Sequence, residues 1–282
     1  MDSAIKHTRQ KKALFGKIVM TVIIGLCSVL IIVPLLIMIF GSFKTPAEAQ
    51  KFNLELPTQW MFSNYAYVFK EGGIGKAMMN SVIVTVVVTL LTIVSGGLCA
   101  FIISRRNGRY TSGLYNLFLL GMISPMQVVT TFALLKMIHL TGTYTGVIFV
   151  ETAIQLPWAI FMFTGFIKGV PRELDEAAYI DGARPLTMFF KVILPLLKPI
   201  VATTVVSTAM GAWNEFMIPL YFFNTSDKWT MPLTVYNFFG QYSSNWNYVF
   251  SDLVLTALPI TILYLYCQKY IVSGMTAGAV KG

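Results

Sequence analysis

Six apolar runs dominate the chain and leave few ways to fold it. They cover residues 18–40, 80–103, 114–135, 146–167, 199–222 and 252–272, each longer than 20 residues. At about 1.5 Å of rise per residue, each run is long enough to cross a hydrocarbon core of about 30 Å as a helix. In lipid every backbone N–H and C=O needs an internal partner, and a helix finds those partners within its own segment. Composition agrees. Only 12% of the 282 residues are charged and 56% are hydrophobic, with a mean hydropathy of +0.68. A soluble domain carries roughly 25% charged residues, so too few polar side chains are present to cover a water-facing surface. The expected fold is an all-α integral membrane protein with six transmembrane helices.

The formal net charge of +9 is read through its placement, because Lys and Arg gather on the cytoplasmic side of a membrane protein. Fifteen Lys and Arg fall in residues 1–17, 105–109 and 168–198 and in the C-terminal tail, against six in the alternate loops. This bias puts both termini and the 168–198 loop in the cytoplasm, and loops 41–79 and 223–251 outside. The first run follows a basic stretch, as in a signal peptide, yet it exceeds an h-region of roughly 7–15 residues and no A-x-A-like site follows. It reads as an uncleaved anchor. The organisation is a cytoplasmic N-terminus at 1–17, a first span at 18–40, an external loop at 41–79, a five-span core at 80–272, and a tail at 273–282.

Trp60, Tyr65, Tyr67, Trp229, Tyr236, Trp246 and Tyr248 crowd the two outer loops. They form either an interfacial aromatic belt or a contact surface for an external partner. Cys27, Cys99 and Cys267 lie far apart in apolar runs, and His7 and His139 are isolated, so neither a disulfide framework nor a metal site is expected. The chain has no G-x-x-x-x-G-K-[ST]; "GGIGKA" from Gly72 lacks both the spacing and the hydroxyl. No ATP site and no clustered catalytic machinery are expected.

One charged stretch interrupts the apolar runs: "ELDEAAYIDGARPLTMFFKVILPLLKP", residues 173–199. Pro171 suits the first turn of a helix, where its missing N–H costs nothing. Glu173, Asp175 and Glu176 then place negative charge at the positive end of the helix dipole. Gly182 can close the helix in a left-handed conformation, Pro185 can open a second, and Pro195 and Pro199 discourage continuation into the next span. Leu174, Ala177, Ala178 and Asp181 share a face by i, i+3, i+4, i+7 spacing. Two alanines there give a low profile that admits another surface. A hairpin packed only on its own spans is the competing reading.

The same stretch carries a resemblance. "EAAYIDGARPLTMFFKVILP" resembles the EAA loop of membrane subunits of bacterial ATP-binding cassette importers, whose pattern is E-A-A, three residues, G, nine residues, I, one residue, L-P. Glu176, Ala177, Ala178, Gly182, Leu194 and Pro195 match, and Val192 stands where the pattern has isoleucine. "NSVIVTVVVTLLTIVSGGLCAFIISR" from Asn80, "AWNEFMIPL" from Ala212 and "GMTAGAVKG" from Gly274 are similar to the smaller, maltose-permease-like subunit of carbohydrate importers. The resemblance implies a type I importer transmembrane domain in a bacterial plasma membrane. It implies a non-catalytic permease for a sugar or oligosaccharide that binds no cofactor itself, with ATP and Mg on two partner ATPase subunits. It also implies a second, related permease as heterodimer partner and an extracellular or periplasmic sugar-binding protein, with no nucleic acid. The EAA loop becomes a coupling helix, with Glu173, Leu174 and Asp181 beside the matched positions. In "NFFGQYSSNWNYVF" the turn Gly240-Gln241-Tyr242 reaches toward the binding protein, and the tail touches the ATPase dimer or is a free terminus.

Ionisable residues within spans are candidates for the translocation path. Glu215 lies 16 residues after Pro199, about 24 Å along a helix and in the outer part of the bilayer. It either holds a neighbouring backbone or lines the path with Trp213 and Asn214. Glu151 and Gln155 in the fourth span are candidates for hydrogen-bonding a sugar. The alternative function is a self-powered carrier or channel for a small polar solute, which would favour mid-span relays or inverted repeats.

Overall fold

A computed structural model describes residues 2–106, 108–240 and 245–279, with side chains for 16–106, 108–240 and 245–268. In chain order the helices are α1 Asp2–Ser42, α2 Pro46–Ala49, α3 Ser63–Glu71, α4 Ile74–Arg105, α5 Arg109–Ile123, α6 Val128–Met137, α7 Tyr144–Ile167 and α8 Glu173–Ile180. They continue with α9 Pro185–Met188, a π-helical turn Phe189–Ile193, α10 Leu194–Leu196, α11 Lys198–Asn214, α12 Met217–Phe222 and α13 Trp246–Ala279. Residues fall into two compact units, Met1–Gly72 with Asn237–Leu255, and Gly73–Tyr236 with Thr256–Gly282.

Among the described residues, four helices are long and apolar enough to cross a membrane, at Gly16–Ser42, Ile74–Arg105, Tyr144–Ile167 and Trp246–Gln268. Two further runs are broken. The third, expected at 114–135, is α5 and α6 bent by 119°. Pro125 forces the residue before it out of the helical region, and Ser124 is extended at φ −72° and ψ 121°. The fifth, expected at 199–222, is α11 followed by α12, with Glu215 extended between them. α11 meets the segment Pro185–Leu196 at 87°, with Pro199 in its first turn. Counting each bent pair as one gives six spans.

The larger unit is organised around α4, α7 and α11. "VIVTVVVT" in α4 would favour a strand in water, because β-branched side chains lose rotamer freedom in a helix. In lipid the need to satisfy every backbone group internally overrides that preference. α4 and α7 run parallel, since contacts climb both helices together. Tyr144 Oη donates to Asn80 Oδ1 at 2.8 Å, Gly96 faces Ala159, and Arg105 Nη1 donates to the Ile167 carbonyl at 3.4 Å. Small residues permit this approach: a Cβ on Gly96 would come within 3.1 Å of Ala159 Cβ. α11 runs the other way, with Ile200 buried beside Phe163 and Ile167 and Ala212 beside Ile148 and Val150. The two apolar clusters thus sit at opposite ends of the same three helices.

The smaller unit is knotted by polar groups at the end of α1. Asn64 Nδ2 donates to the carbonyls of Ser42 and Lys44 at 2.9 and 3.0 Å, and Asn64 Oδ1 accepts from Asn247 at 3.0 Å. Ser251 donates to the Ser42 carbonyl at 3.0 Å. The outer-loop aromatics here pack on one another, with Tyr67 stacked on Tyr248 at 4.3 Å and Phe43 surrounded by Trp60, Phe62 and Tyr65. α2 opens with a capping box, Thr45 and Glu48.

Replacing Asn64 with Leu would leave the Lys44 carbonyl and the Asn247 amide without these partners, while the Ser42 carbonyl keeps only Ser251. The expected cost is about 2–4 kcal/mol, visible as a lower thermal unfolding midpoint in detergent; an unchanged midpoint would refute the knot. Hydrogen bonds from Thr58 and Thr45 hold the Glu48 carboxyl well below its usual 4.5, at about 2. The ionised form is the one favoured by folding, so its contribution is complete above pH 4.5 and lost as pH falls toward 2. Amide-exchange protection across residues 45–49 should fall in that window, and protection unchanged at pH 2 would remove Glu48 as the cap.

Candidate functional site

The EAA stretch is a short helix built on a rigid root. α7 ends at Ile167, and turns Gly169 N–H to Phe166 O and Val170 N–H to Ile167 O lead into Pro171. Arg172 caps α8 in a helical conformation, so Pro171 stands just before the helix and not inside its first turn. Glu173, Asp175 and Glu176 occupy the first turn. Gly182 ends the helix at φ +78°, with Ala183 N–H bonded to Ala178 O and Gly182 N–H to Tyr179 O. This paired arrangement satisfies the last carbonyls and needs a residue without a Cβ penalty at Gly182. Arg184 is extended and Pro185 opens α9. Beneath α9, Phe189, Ile193 and Leu197 are buried against Ala100, Phe163 and Ile167.

Arg105, the last residue of α4, fastens this root. Its Nε lies 2.5 Å from Asp175 Oδ2, with the two side chains only 12% and 17% exposed. Nη1 also donates to the Val170 carbonyl at 3.1 Å and the Ile167 carbonyl at 3.4 Å. One guanidinium therefore ties together the end of α4, the end of α7 and the first turn of α8. In the sequence Arg105 registers only as a topological charge and Asp175 only as a first-turn acid, and nothing in a separation of 70 residues pairs them.

The face expected from Leu174, Ala177, Ala178 and Asp181 is divided. Ala178 is buried on its own chain, while Ala177, Leu174 and Asp181 are exposed. Ala178 is thus part of the helix's seat, since its neighbours in the fold lie on that side, and cannot belong to an outward surface. Glu173, Glu176, Gly182 and Pro195 are exposed and Leu194 is half-buried. Tyr179 at 76% and Ile180 at 83% are the most exposed large apolar side chains of α8, well beyond Leu174, and sequence reasoning passed over both. Their position two and three residues after Ala177 was the available signal.

The path candidates separate. Glu215 is not part-way along a continuous helix: α11 ends at Asn214, and Glu215 Oε1 accepts from Met217 N–H at 2.8 Å and Ile218 N–H at 3.1 Å, capping α12. Trp213 is buried and its Nε1 donates to the Thr256 carbonyl at 3.1 Å, so it packs inside the unit, whereas Asn214 is exposed. Half-buried Gln155 lies over Gly211, where a Cβ would approach Oε1 to 3.1 Å. Glu151 is 2% exposed, and neither carboxylate oxygen has a hydrogen-bond partner. Thr85, Thr89 and Thr92 on α4 and Thr208 on α11 bury hydroxyls that likewise have none. Gly240 is exposed; Gln241 and Tyr242 lie outside the described residues, as do 280–282 of the tail. Among the described residues no group of three or more His, Cys, Asp or Glu could hold a metal ion.

Residues 92–277 match the family described as "Binding-protein-dependent transport system inner membrane component". The chain is 36% identical over 265 residues to a multiple sugar-binding transport system permease protein of Streptococcus mutans, covering 92% of this chain and 95% of that one. It is 30% identical to a melibiose/raffinose/stachyose import permease protein of Bacillus subtilis, over 89% and 91% of the two chains. In fold it is similar to a chain from the crystal structure of a bacterial transporter that imports the acidic polysaccharide alginate, with a TM-score of 0.77, 21% identity and coverage of 91% and 96%. The broken helices, the EAA pattern on its clamped root and these matches together place the chain in the family of binding-protein-dependent transport system inner membrane components.

Proposed function

We propose that this chain is a non-catalytic permease subunit of an ATP-driven importer for a sugar or oligosaccharide, working with a second related permease, two ATPase subunits and an external sugar-binding protein. The observation that carries this reading is the EAA helix. It is short, bonded at both ends, seated on Ala178 and clamped by Arg105, and it offers Tyr179 and Ile180 outward at 76% and 83% exposure, with Leu186 of α9 exposed after the turn. Apolar side chains presented from a rigid root suit docking into a groove of another protein. The sugar class comes from relatives named for sugar uptake. Both termini and the EAA loop belong in the cytoplasm by the Lys and Arg count, and ATP and Mg would sit on the partner ATPases.

In this mechanism the ATPases bias the membrane cavity only through contacts that differ between their open and closed states. Those contacts fall on Glu173, Leu174, Glu176, Ala177, Tyr179, Ile180, Asp181 and Gly182, with Leu194 and Pro195 shaping the return to α11. Movement of α8 reaches the spans through Arg105, which joins it to α4 and α7. Asn214, Gln155 and Glu151 are the path candidates that their surroundings leave without a full structural assignment. Glu215 serves as a cap and Trp213 as packing. Gly240-Gln241-Tyr242 is assigned to the binding protein.

Co-purification with an ATPase subunit tests the class: a self-powered carrier would transport alone, whereas this chain should be inert without partners. Within a reconstituted importer, Glu176→Arg or Gly182→Pro should abolish sugar-stimulated ATP hydrolysis while leaving membrane insertion intact, and normal stimulation would exclude those residues from coupling. Reversing Asp175 to Arg sets two cations against each other. Breaking such a buried pair costs about 3–5 kcal/mol, so uptake should fall at least tenfold, and Arg105→Asp combined with Asp175→Arg should recover a measurable part. No recovery, with both chains inserted equally, would deny the clamp a role in coupling.

A further inference from the structure

Beside the clamp, between the end of α4 and the root of the EAA helix, lies an open cavity of about 420 Å³ lined by Ser104, Arg105, Lys168, Val170, Arg172 and Glu173 among others. Three cations and one acid face it. Arg105 is already committed to Asp175 and two backbone carbonyls. Lys168 and Arg172 have no ion-pair partner among the described residues. The Lys168 ammonium lies 5.5 Å from the centre of the Tyr115 ring, which fixes its position without neutralising its charge. With Glu173 set against two uncommitted cations and Arg105 balanced by Asp175, the cavity keeps a net positive charge.

Its depth in the membrane narrows the ligand. Arg105 ends α4 and Ile167 ends α7, so the cavity sits where both helices leave the apolar layer, at the level of lipid phosphates. A guanidinium offers two parallel N–H donors to phosphate oxygens, and an ammonium adds a point charge. We propose that this cavity binds a phosphate group, presented either by an anionic phospholipid headgroup or by a soluble phosphate compound. The bound group would brace residues 168–172, the linker whose Val170 carbonyl Arg105 already holds together with that of Ile167 at the end of α7. Tyr179 and Ile180 lie at the other end of α8, so the outward surface of the EAA helix stays free. This site does not depend on the importer reading, and its test uses binding alone.

The experiment is native mass spectrometry of the full-length chain in detergent, titrated with phosphatidylglycerol or phosphatidylcholine. Phosphatidylglycerol should be retained in preference. Lys168→Gln with Arg172→Gln should weaken that retention about thirtyfold, at roughly fivefold per basic residue. Arg106→Gln with Arg109→Gln removes the same charge from the same membrane face and should change it less than about twofold, and Lys168→Arg should preserve it. If the double variant does not purify, Lys168→Gln alone should show the fivefold loss. Competition by inorganic phosphate would identify a soluble ligand, and its absence would identify the lipid headgroup. Equal retention of the two lipids, or equal losses in the two double variants, would overturn the site.

Discussion

The clamp of Arg105 on Asp175 is the interaction on which the working end of this chain depends. A helix of eight residues is too short to hold itself together in water, and α8 has no side-chain cap at its start. Its orientation must come from tertiary contacts. Ala178 supplies a seat, Gly182 closes the far end, and the guanidinium fixes the near end through a carboxylate and two carbonyls at once. Because the same arginine terminates α4, any displacement of α8 is felt by the helix that packs along α7. A lysine could not do this, since it lacks the planar fork that reaches three acceptors from one stem.

That connection matters only if the helices behind it move as a unit. Around the root they do pack densely: Phe163, Ile167, Phe189, Ile193 and Leu197 are fully buried, and a Cβ on Gly97 would crowd the Phe189 ring at 3.0 Å. The π-helical turn at Phe189–Ile193 places both aromatic and aliphatic side chains under α9 before Pro195 and Pro199 turn the chain by 87° into α11. Interiors packed this way deform little and transmit displacement.

Much of this could be read in the residues. Six apolar runs gave the spans, and the glycine and prolines of the EAA stretch gave its helix, turn and second helix, because backbone rules are local. The breaks in the third and fifth runs were harder to read, since hydropathy is blind to direction and prolines are common within membrane helices. Pro34, Pro157 and Pro259 lie inside α1, α7 and α13 without ending them, while the helix stops just before Pro125. Long-range side-chain partnerships were not legible. Arg105 with Asp175 and Trp213 with Thr256 each span many residues, whereas Glu215 takes the first of its two expected roles, holding the backbone of Met217 and Ile218.

The middle of α4, α7 and α11 contrasts with the dense root. Thr85, Thr89 and Glu151, on the same turns as Val84, Val88 and Val150 of one apolar cluster, and Thr92 and Thr208, between that cluster and the one around Phe163 and Ile193, bury oxygens that lack partners. Each such group forgoes about 1–3 kcal/mol of hydrogen bonding relative to a state in which it meets water. The packing of these helices is therefore held by its apolar clusters and opposed by the polar groups set among and between them. That opposition lies within the same three helices whose root, Ala100, Phe163 and Ile167, is the most fully buried and is tied to α8 by Arg105.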